Sequence, residues 1–382
     1  MASFAVSCMR PDLHAHGRSP GVGPQSSPPT HTERRSIMPE HVRDISEFAL
    51  IERLRNTLPG TVRATADLLV GIGDDAALWT PPAGESVLVT TDSLIDRVHF
   101  RTDWTTWSDL GWKSLAVNIS DIAAMGGIPK LATVSLSLTG DELVDDLVAL
   151  YEGMGSIAAR DGVVLAGGDI VRAPSDFGIH VTLLGVTRHG KLLTRSGARP
   201  GEAVCVTGTL GAAAAGLKLL QLPAGDPRRA AATAPLLIAA HTRPEPRVEA
   251  GRIALENGAT AAMDLSDGLF GDLPKILAAS RVDATIDLST IPIAASIGAL
   301  FPNQRLDLAT RGGEDYELLL IVPIDRVEHL WDELERIGQT LTVIGKTEPG
   351  SATPTLFLRE QDGESAPVVV GAFDHFQSSP SS

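Results

Sequence analysis

The stretch Gly-Ile-Gly-Asp-Asp-Ala-Ala-Leu at residues 71–78 places two adjacent carboxylates directly after a short apolar run. Neighbouring acids repel, so a folded protein keeps such a pair where water or a cation screens it. Taken alone, the stretch is equally compatible with a solvated turn. The pattern recurs, however, because apolar runs lead to aspartates beside glycine, serine or threonine at Asp92, Asp121, Asp169, Asp264 and Asp267. A sheet that presents oxygen ligands at one edge has this pattern, and Mg²⁺ prefers oxygen ligands.

Composition limits the class of protein. The chain has 382 residues, of which 43% are hydrophobic and 37 are glycine, which suits two domains with close-packed α/β layers. The formal net charge of -15 argues against a nucleic-acid-binding surface. Two cysteines, Cys8 and Cys205, fit a reducing cytoplasm and predict no disulfide framework. We expect no membrane span and no signal peptide.

Apolar periodicity predicts alternating helices and strands. Residues 1–40 lack periodicity and are predicted to be a disordered N-terminal extension, with Met38 as a candidate start. A first helix is predicted with Asp44 as its N-cap and with Phe48 and Leu54 on its apolar face. Longer segments predict a helix over 107–125, a strand over 133–138 and a helix over 141–160.

Both halves of the chain alternate strands with helices, which predicts two domains of the α/β (layered α+β) class. The basic segment from Lys191 to Gly201 separates the halves. We therefore predict an N-terminal domain over 41–188, a C-terminal domain over 189–376 and a tail over 377–382.

Two nucleotide-binding motifs are present in part and are rejected. Residues 71–76 match Gly-x-Gly-x-x-Ala, but two carboxylates in that turn would repel a pyrophosphate. Gly345-Lys346-Thr347 resembles the end of a P-loop, but position 340 is threonine instead of the required glycine. A nucleotide would therefore have to bind at a site that uses neither of these two motifs.

Three further features are candidates for binding. Arg195 lies in a glycine-bounded segment and suits bidentate phosphate contact, although a solvated loop is an equal alternative. His99 follows the strand that contains Asp92; alone it is more often a packing histidine. Residues 311–317, Arg-Gly-Gly-Glu-Asp-Tyr-Glu, form a polar loop before an apolar strand, and a plain connection needs no such sequence.

Together these stretches resemble the thiamine-monophosphate kinase family. The matching motifs occur in family order and span roughly residues 45 to 376. They are Gly-Ile-Gly-Asp-Asp at 71–75, Thr-Thr-Asp-Ser at 90–93, Lys-Ser-Leu-Ala-Val-Asn-Ile-Ser-Asp-Ile-Ala-Ala-Met-Gly at 113–126, Gly-Gly-Asp at 167–169, Leu-Thr-Arg-Ser-Gly at 193–197, Asp-Leu-Ser-Asp-Gly at 264–268 and Gly-Gly-Glu-Asp-Tyr-Glu at 312–317. Single motifs are weak, but the ordered set is specific.

The resemblance implies the two-domain fold of aminoimidazole ribonucleotide synthetase and its relatives, with N-terminal sheets that pair in a homodimer. It also implies several Mg²⁺ ions, with ATP as co-substrate and thiamine monophosphate as acceptor. The magnesium ligands implied are Asp75, Thr90, Thr91, Asp92, Asp121, Asp169, Asp264 and Asp267. The implied ATP contacts are Gly168, Asp169, Arg195 and Ser266, and the implied acceptor contacts are His99, Glu314 and Phe373.

The implied chemistry is direct transfer of the γ-phosphoryl group to thiamine monophosphate. The acceptor phosphate has a second pKa of about 6 and is largely a dianion at neutral pH, so no general base is required. We therefore assign no catalytic base or nucleophile. The alternatives are another ATP-using enzyme of the same superfamily, or an inactive nucleotide-binding homologue. Selenophosphate synthetase carries a reactive cysteine near its N-terminus, whereas Cys8 lies in an unpatterned segment.

Overall fold

The computed structural model describes residues 39–188, 190–359 and 365–368. Nearly all of the predicted extension 1–40, the tail 377–382 and Phe373 lie outside these described residues. The α-helices within them are α1 (Glu47–Thr57), α2 (Gly60–Arg63), α3 (Trp107–Ala124), α4 (Val144–Asp161), α5 (Ala212–Gln221), α6 (Ala234–Thr242), α7 (Val248–Glu256), α8 (Leu269–Ser280), α9 (Ile297–Leu300), α10 (Arg305–Arg311) and α11 (Ile324–Arg336). The strands are β1 (Leu68–Val70), β2 (Leu78–Trp79), β3 (Glu85–Ile95), β4 (Ile128–Leu138), β5 (Val164–Arg172), β6 (Gly178–Arg188), β7 (Ala203–Thr207), β8 (Ala261–Asp264), β9 (Val282–Asp287), β10 (Leu318–Val322), β11 (Leu341–Pro349), β12 (Leu356–Arg359) and β13 (Ser365–Pro367).

The N-terminal half is built on a four-stranded sheet in the order β3-β6-β4-β5. Strands β4 and β5 run parallel, and the other neighbours are antiparallel. Alternate residues of each strand face α3 and α4, and Val134 and Leu136 of β4 are buried in that core. Period-2 alternation therefore produces one apolar face and one face that is left without a helix layer by the part of the chain that the structure describes.

The C-terminal half is built on a seven-stranded sheet in the order β13-β12-β9-β11-β7-β10-β8. Strand β12 pairs parallel with β9, and the other pairs are antiparallel. One face packs on α8, and the opposite face packs on α7 and α11. Strands such as β7 and β10 are continuously apolar because both of their faces are buried.

Helix α3 is the element that the two halves share. It packs on α4 and β3 in the N-terminal half, and on α7 and β8 in the C-terminal half. Where α3 meets α4, Gly111 and Gly153 let the backbones approach, since an added Cβ on either would lie 1.8 Å from a carbonyl oxygen. Polar residues on α3 are therefore held between the two sheets.

The sequence prediction for α1 is wrong in two details. Ser46 caps this helix, with its Oγ accepting a hydrogen bond from the amide of Ala49 at 3.3 Å, whereas Asp44 ends a separate 3₁₀ turn. Phe48 is 81% exposed, whereas Leu54 is buried as predicted, together with Leu50. The buried stripe is therefore displaced from the one that the apolar spacing suggested, because the tertiary contact selects the face.

Strand β6 ends at Arg188 and β7 begins at Ala203, so the predicted domain boundary at 188/189 falls between the two sheets. The boundary itself remains a prediction. The described residues from Pro39 onward form one compact unit. Among the helices of the described ranges, none combines the length and apolar character that a membrane crossing requires.

Candidate active site

Three predicted metal ligands converge where α3 meets both sheets. Asp92 lies on β3, Asp121 near the end of α3, and Asp264 at the end of β8. Thr90 Oγ1 donates a hydrogen bond to Asp121 Oδ2 at 2.5 Å. Ser120 Oγ donates to Asp264 Oδ2 at 2.7 Å. The structure thus brings Thr90, Asp92, Asp121 and Asp264 to one place.

Burial and mutual repulsion disfavour ionisation of these carboxyl groups. Burial raises the pKa of Asp92 to about 6, and the charge of Asp121 adds to this effect. Burial likewise raises the pKa of Asp264 to about 7, again with a contribution from Asp121. A cation among these carboxylates would oppose both effects, because an opposite charge favours the ionised form.

The donor set suits a hard divalent cation. The convergent side chains present only carboxylate and hydroxyl oxygens, which Mg²⁺ prefers over nitrogen or sulfur. Within the described residues, no three His, Cys, Asp or Glu side chains are already arranged to hold a metal ion. Coordination would therefore require ligand oxygens from a bound substrate or modest rearrangement of these side chains.

Arg195 contributes a positive charge near the acids. Its side chain is exposed, and its charge lowers the pKa of Asp121, although burial dominates and raises that pKa overall. The loop that carries Arg195 is anchored to the end of α8, because Ser280 Oγ donates to the Arg195 carbonyl at 2.9 Å. An exposed guanidinium beside an acidic cluster is available to a phosphate chain.

Glu314, a predicted acceptor contact, lies in the loop before β10. Its Oε1 is 2.9 Å from Lys113 Nζ, and its Oε2 is 3.0 Å from His241 Nδ1. Burial alone would raise the pKa of Glu314, but Lys113 and His241 outweigh it and lower the pKa to about 2. The carboxylate is therefore ionised at neutral pH, and its low pKa makes it a poor general base there.

Other acids of the same loop have structural partners. Asp315 accepts hydrogen bonds from the amides of Gly211 (2.6 Å) and Ala213 (3.1 Å) at the start of α5. Glu317 is buried and bonds Arg247 through both of its oxygens, at 2.8 Å and 2.5 Å. The dense polar motif thus contains one acid with an accessible side chain, Glu314, and two that hold the fold together.

Ser266 and Asp267 lie directly after β8. The Ser266 carbonyl accepts a hydrogen bond from the Glu314 amide at 2.9 Å, so the predicted ATP and acceptor contacts are adjacent. Asp267 Oδ2 accepts a hydrogen bond from Lys275 Nζ at 2.5 Å, and Asp272 Oδ1 binds the same ammonium at 2.8 Å. Asp267 is therefore already ion-paired.

Thr91 and Asp169 lie on the other face of the N-terminal sheet. Thr91 Oγ1 donates to the Val181 carbonyl at 3.0 Å, while its neighbours Thr90 and Asp92 face α3. Asp169 pairs with Ser135 and shares the face of Thr91. Strand β5 is three strands from β3, which places Asp169 about 14 Å from Asp92. Within one chain, Asp169 therefore does not join the cluster of Asp92, Asp121 and Asp264.

The remaining predicted residues occupy loops. Asp75 lies in the exposed connection between β1 and β2, where its amide donates to Asp74 Oδ1 at 2.9 Å. His99 follows β3, and its Nδ1 accepts a hydrogen bond from the Ile95 amide at 3.1 Å. Gly168 is exposed on β5 and pairs with Val134 of β4, and an added Cβ would lie 1.9 Å from the Val134 carbonyl oxygen. Phe373 lies outside the described residues.

Sequence reasoning assigned no role to Lys113, Ser120 or His241. The sequence does contain a clue to Lys113 and Ser120, because they are polar residues in a helix that is otherwise largely apolar. The structure buries both. His241 is a single histidine on α6, and nothing in the sequence connects it with Glu314. These residues reach the site through contacts between distant parts of the chain.

Comparisons with known proteins agree with this architecture. The family model for AIR synthase related protein, N-terminal domain, matches residues 73–187. The model for AIR synthase related protein, C-terminal domain, matches residues 199–354. The chain is 37% identical over 333 residues to thiamine-monophosphate kinase of Bacillus subtilis (strain 168), covering 87% of this chain and 100% of that protein. It is 38% identical over 337 residues to the enzyme of that name from Escherichia coli (strain K12), covering 86% and 98%.

Comparison with solved structures also finds thiamine-monophosphate kinases. The crystal structure of thiamine-monophosphate kinase from Stenotrophomonas maltophilia K279a superposes with a TM-score of 0.72 at 37% identity, covering 84% of this chain and 98% of that chain. A structure described as AaThiL complexed with AMPPCP and TMP gives a TM-score of 0.68 at 31% identity, covering 87% and 98%. The E. coli hydrogenase maturation protein HypE, at 18% identity and a TM-score of 0.68, shares the fold.

Proposed function

Since this chain belongs to the thiamine-monophosphate kinase family, we propose that it transfers the γ-phosphoryl group of ATP to thiamine monophosphate, giving thiamine diphosphate and ADP. The observation that carries the proposal is the convergence of Asp92, Asp121 and Asp264 between the two sheets, beside Arg195. A site of buried acids with one nearby guanidinium suits a metal-bound polyphosphate better than a free anion.

The proposed Mg²⁺ sites draw on acids and threonines of both halves. The ligands in this proposal are Asp75, Thr90, Thr91, Asp92, Asp121, Asp169, Asp264 and Asp267. When bound, Mg²⁺ supplies the positive charge that lets two polyanionic substrates approach each other. Ser120 and Thr90 orient two of the carboxylates through their hydroxyl groups.

The chain's remaining contributions are binding and orientation. In this proposal Gly168, Asp169, Arg195 and Ser266 contact ATP. His99, Glu314 and Phe373 contact the acceptor. The acceptor phosphate is its own nucleophile, since its second pKa of about 6 leaves it largely dianionic at neutral pH. No side chain need remove a proton, and a phosphoenzyme is not part of the scheme.

The same proposal includes a homodimer formed through the N-terminal sheets. Its support is the face of the sheet that carries Thr91 and Asp169, which no helix of the described residues covers. Val87 (42% exposed) and Val89 (67% exposed) add apolar surface to this face. If two such faces pack together, Asp169 of the partner subunit can supply a metal ligand, whereas Asp169 of the same chain lies about 14 Å from Asp92.

We also place the reaction in the cytoplasm. The support is chemical: Cys205 is a free, buried thiol, and burial raises its pKa to about 12. A thiol of this kind is unreactive and is compatible with a reducing compartment.

The decisive experiment is product analysis. Purified full-length protein would be incubated with ATP, Mg²⁺ and thiamine monophosphate, and the nucleotides and thiamine phosphates separated by chromatography. We expect thiamine diphosphate to form one-for-one with ADP, and to be lost in Asp121→Asn. Asp325→Asn, which alters an exposed acid on α11, should retain activity. Hydrolysis or binding of ATP without thiamine diphosphate would overturn the substrate assignment.

A further inference from the structure

The side chain of Glu314 is held by two residues from separate helices. Lys113 Nζ lies 2.9 Å from Oε1, and His241 Nδ1 lies 3.0 Å from Oε2. Lys113 belongs to α3 and His241 to α6, so three distant segments of the chain meet at this carboxylate. Each carboxylate oxygen has a nitrogen atom within 3.0 Å, and the Nδ1 contact is a close approach without hydrogen-bond geometry.

Burial makes these contacts stronger than surface pairs. The side chains of Lys113 and His241 are 4% and 8% exposed, whereas Glu314 is 28% exposed. A buried ammonium without a counter-charge is strongly destabilising, so Lys113 requires Glu314. The greater exposure of Glu314 leaves part of its side chain accessible to a ligand, although its partners are shielded.

The three residues together are electrically neutral. Burial lowers the pKa of His241 below its ordinary value, against the opposing influence of Glu314, so the imidazole is neutral at neutral pH. In a neutral imidazole one ring nitrogen carries the proton, and the carboxylate 3.0 Å from Nδ1 favours the proton on that nitrogen. Lys113 therefore already balances the charge of Glu314. What remains for the Glu314 carboxylate is to act as a hydrogen-bond acceptor of fixed orientation.

The backbone at Glu314 is also fixed. Its φ of 68° lies in the left-handed region, which is strained for a residue other than glycine. The hydrogen bond from its amide to the Ser266 carbonyl holds this conformation at 2.9 Å. Strained residues whose backbone and side chain are both held by neighbouring groups are characteristic of positions where the orientation of the side chain matters.

The same face of α3 serves the acidic cluster. Lys113 and Ser120 lie about two turns apart on this helix. Ser120 binds Asp264, and Lys113 binds Glu314, which itself contacts the residue two positions after Asp264. One helix thus sets the relative position of a proposed metal ligand and a proposed acceptor contact.

We propose that Lys113 and His241 are positioning residues that hold the Glu314 carboxylate toward the acceptor substrate, and so set the affinity for thiamine monophosphate. The inference rests on the proposed function. Neither residue touches a reacting atom in this scheme, and ATP binding at Arg195 and the acids does not depend on them.

The test separates acceptor binding from the other kinetic quantities. Lys113→Met and His241→Leu remove one partner each, while Lys113→Arg and His241→Asn retain a donor. We expect Lys113→Met to raise KM for thiamine monophosphate about tenfold, as the loss of a charge-assisted hydrogen bond predicts. His241→Leu should raise it about threefold to tenfold, and both donor-retaining variants should restore most of the loss. KM for ATP and kcat should stay within about twofold of the wild-type values.

A matched control distinguishes positioning from loss of stability. Arg247→Met breaks a comparable buried ion pair with Glu317 and should lower Tm without changing KM for the acceptor. If Lys113→Met does not fold, His241→Leu decides the question, because the Lys113–Glu314 pair remains. An unchanged acceptor KM in folded variants, or an equal rise in both KM values, would overturn the inference. Wild-type protein that makes no thiamine diphosphate would instead refute the proposed function.

Discussion

Ser120 Oγ donates a hydrogen bond of 2.7 Å to Asp264 Oδ2, and this bond joins helix α3 to the end of strand β8. Both residues are buried, so the hydroxyl satisfies a carboxylate that water does not reach freely. Asp121, the next residue after Ser120, belongs to the same acidic cluster. The bond therefore fixes the spacing of two proposed metal ligands that come from different halves of the chain.

Removal of this hydroxyl should weaken metal binding. In Ser120→Ala the Asp264 carboxylate loses its oriented partner, and we expect the Mg²⁺ concentration for half-maximal activity to rise about tenfold. Titration of activity with Mg²⁺ at saturating substrates measures the effect. Ser114→Ala is the control, because Ser114 Oγ bonds the Gly111 carbonyl within α3 and lies outside the cluster. An identical Mg²⁺ requirement in both variants would contradict the assignment.

Two adjacent glycines should respond differently to alanine. At Gly168 an added Cβ would lie 1.9 Å from the Val134 carbonyl oxygen, whereas at Gly167 the nearest atom, Thr133 Cγ2, would be 3.8 Å away. We expect Gly168→Ala to destabilise the protein by about 2 kcal/mol or more, and Gly167→Ala by less than about 0.5 kcal/mol. Chemical denaturation of both variants provides the measurement. Equal stabilities would show that the strand can shift to accommodate the methyl group.

Mixing two inactive variants should restore activity if the site is shared between subunits. Asp169→Asn and Asp121→Asn are each expected to be inactive. In a mixed dimer, one site would combine an intact Asp121 with an intact Asp169 of the partner subunit. Random exchange of subunits should therefore recover about one quarter of the wild-type activity. The mixture is unfolded and refolded together, then assayed; recovery no greater than that of each variant alone would place both residues in one chain's site.

Stability below neutral pH should depend on His241. Burial lowers the pKa of this residue, while the unfolded chain takes up the proton near pH 6.5. Its contribution to stability is therefore present above about pH 6.5 and is lost as the pH falls below that value. We expect Tm to fall less between pH 7.5 and 5.5 in His241→Asn than in the wild type. His329→Asn, at an exposed position of α11, serves as the control and should match the wild-type slope.

Much of the candidate site was readable in the sequence because acids that follow apolar runs are local features. Asp92, Asp121 and Asp264 were selected in this way, and the structure brings them together. The same reasoning grouped Thr91 and Asp169 with them, but a strand alternates its side chains between faces, and residues on opposite faces cannot share one site in a single chain. Sequence order does not reveal which face is covered.

The sequence alone determined the α/β class and the positions of most long elements, since hydrophobic periodicity and the residues that end helices and strands are local properties. Tertiary structure decided what each polar residue does. Asp315 and Glu317 were predicted as parts of a functional loop, but contacts with Gly211 and Arg247 make them structural. Lys113 and His241 became relevant only through Glu314, because burial and pairing depend on segments that are far apart along the chain.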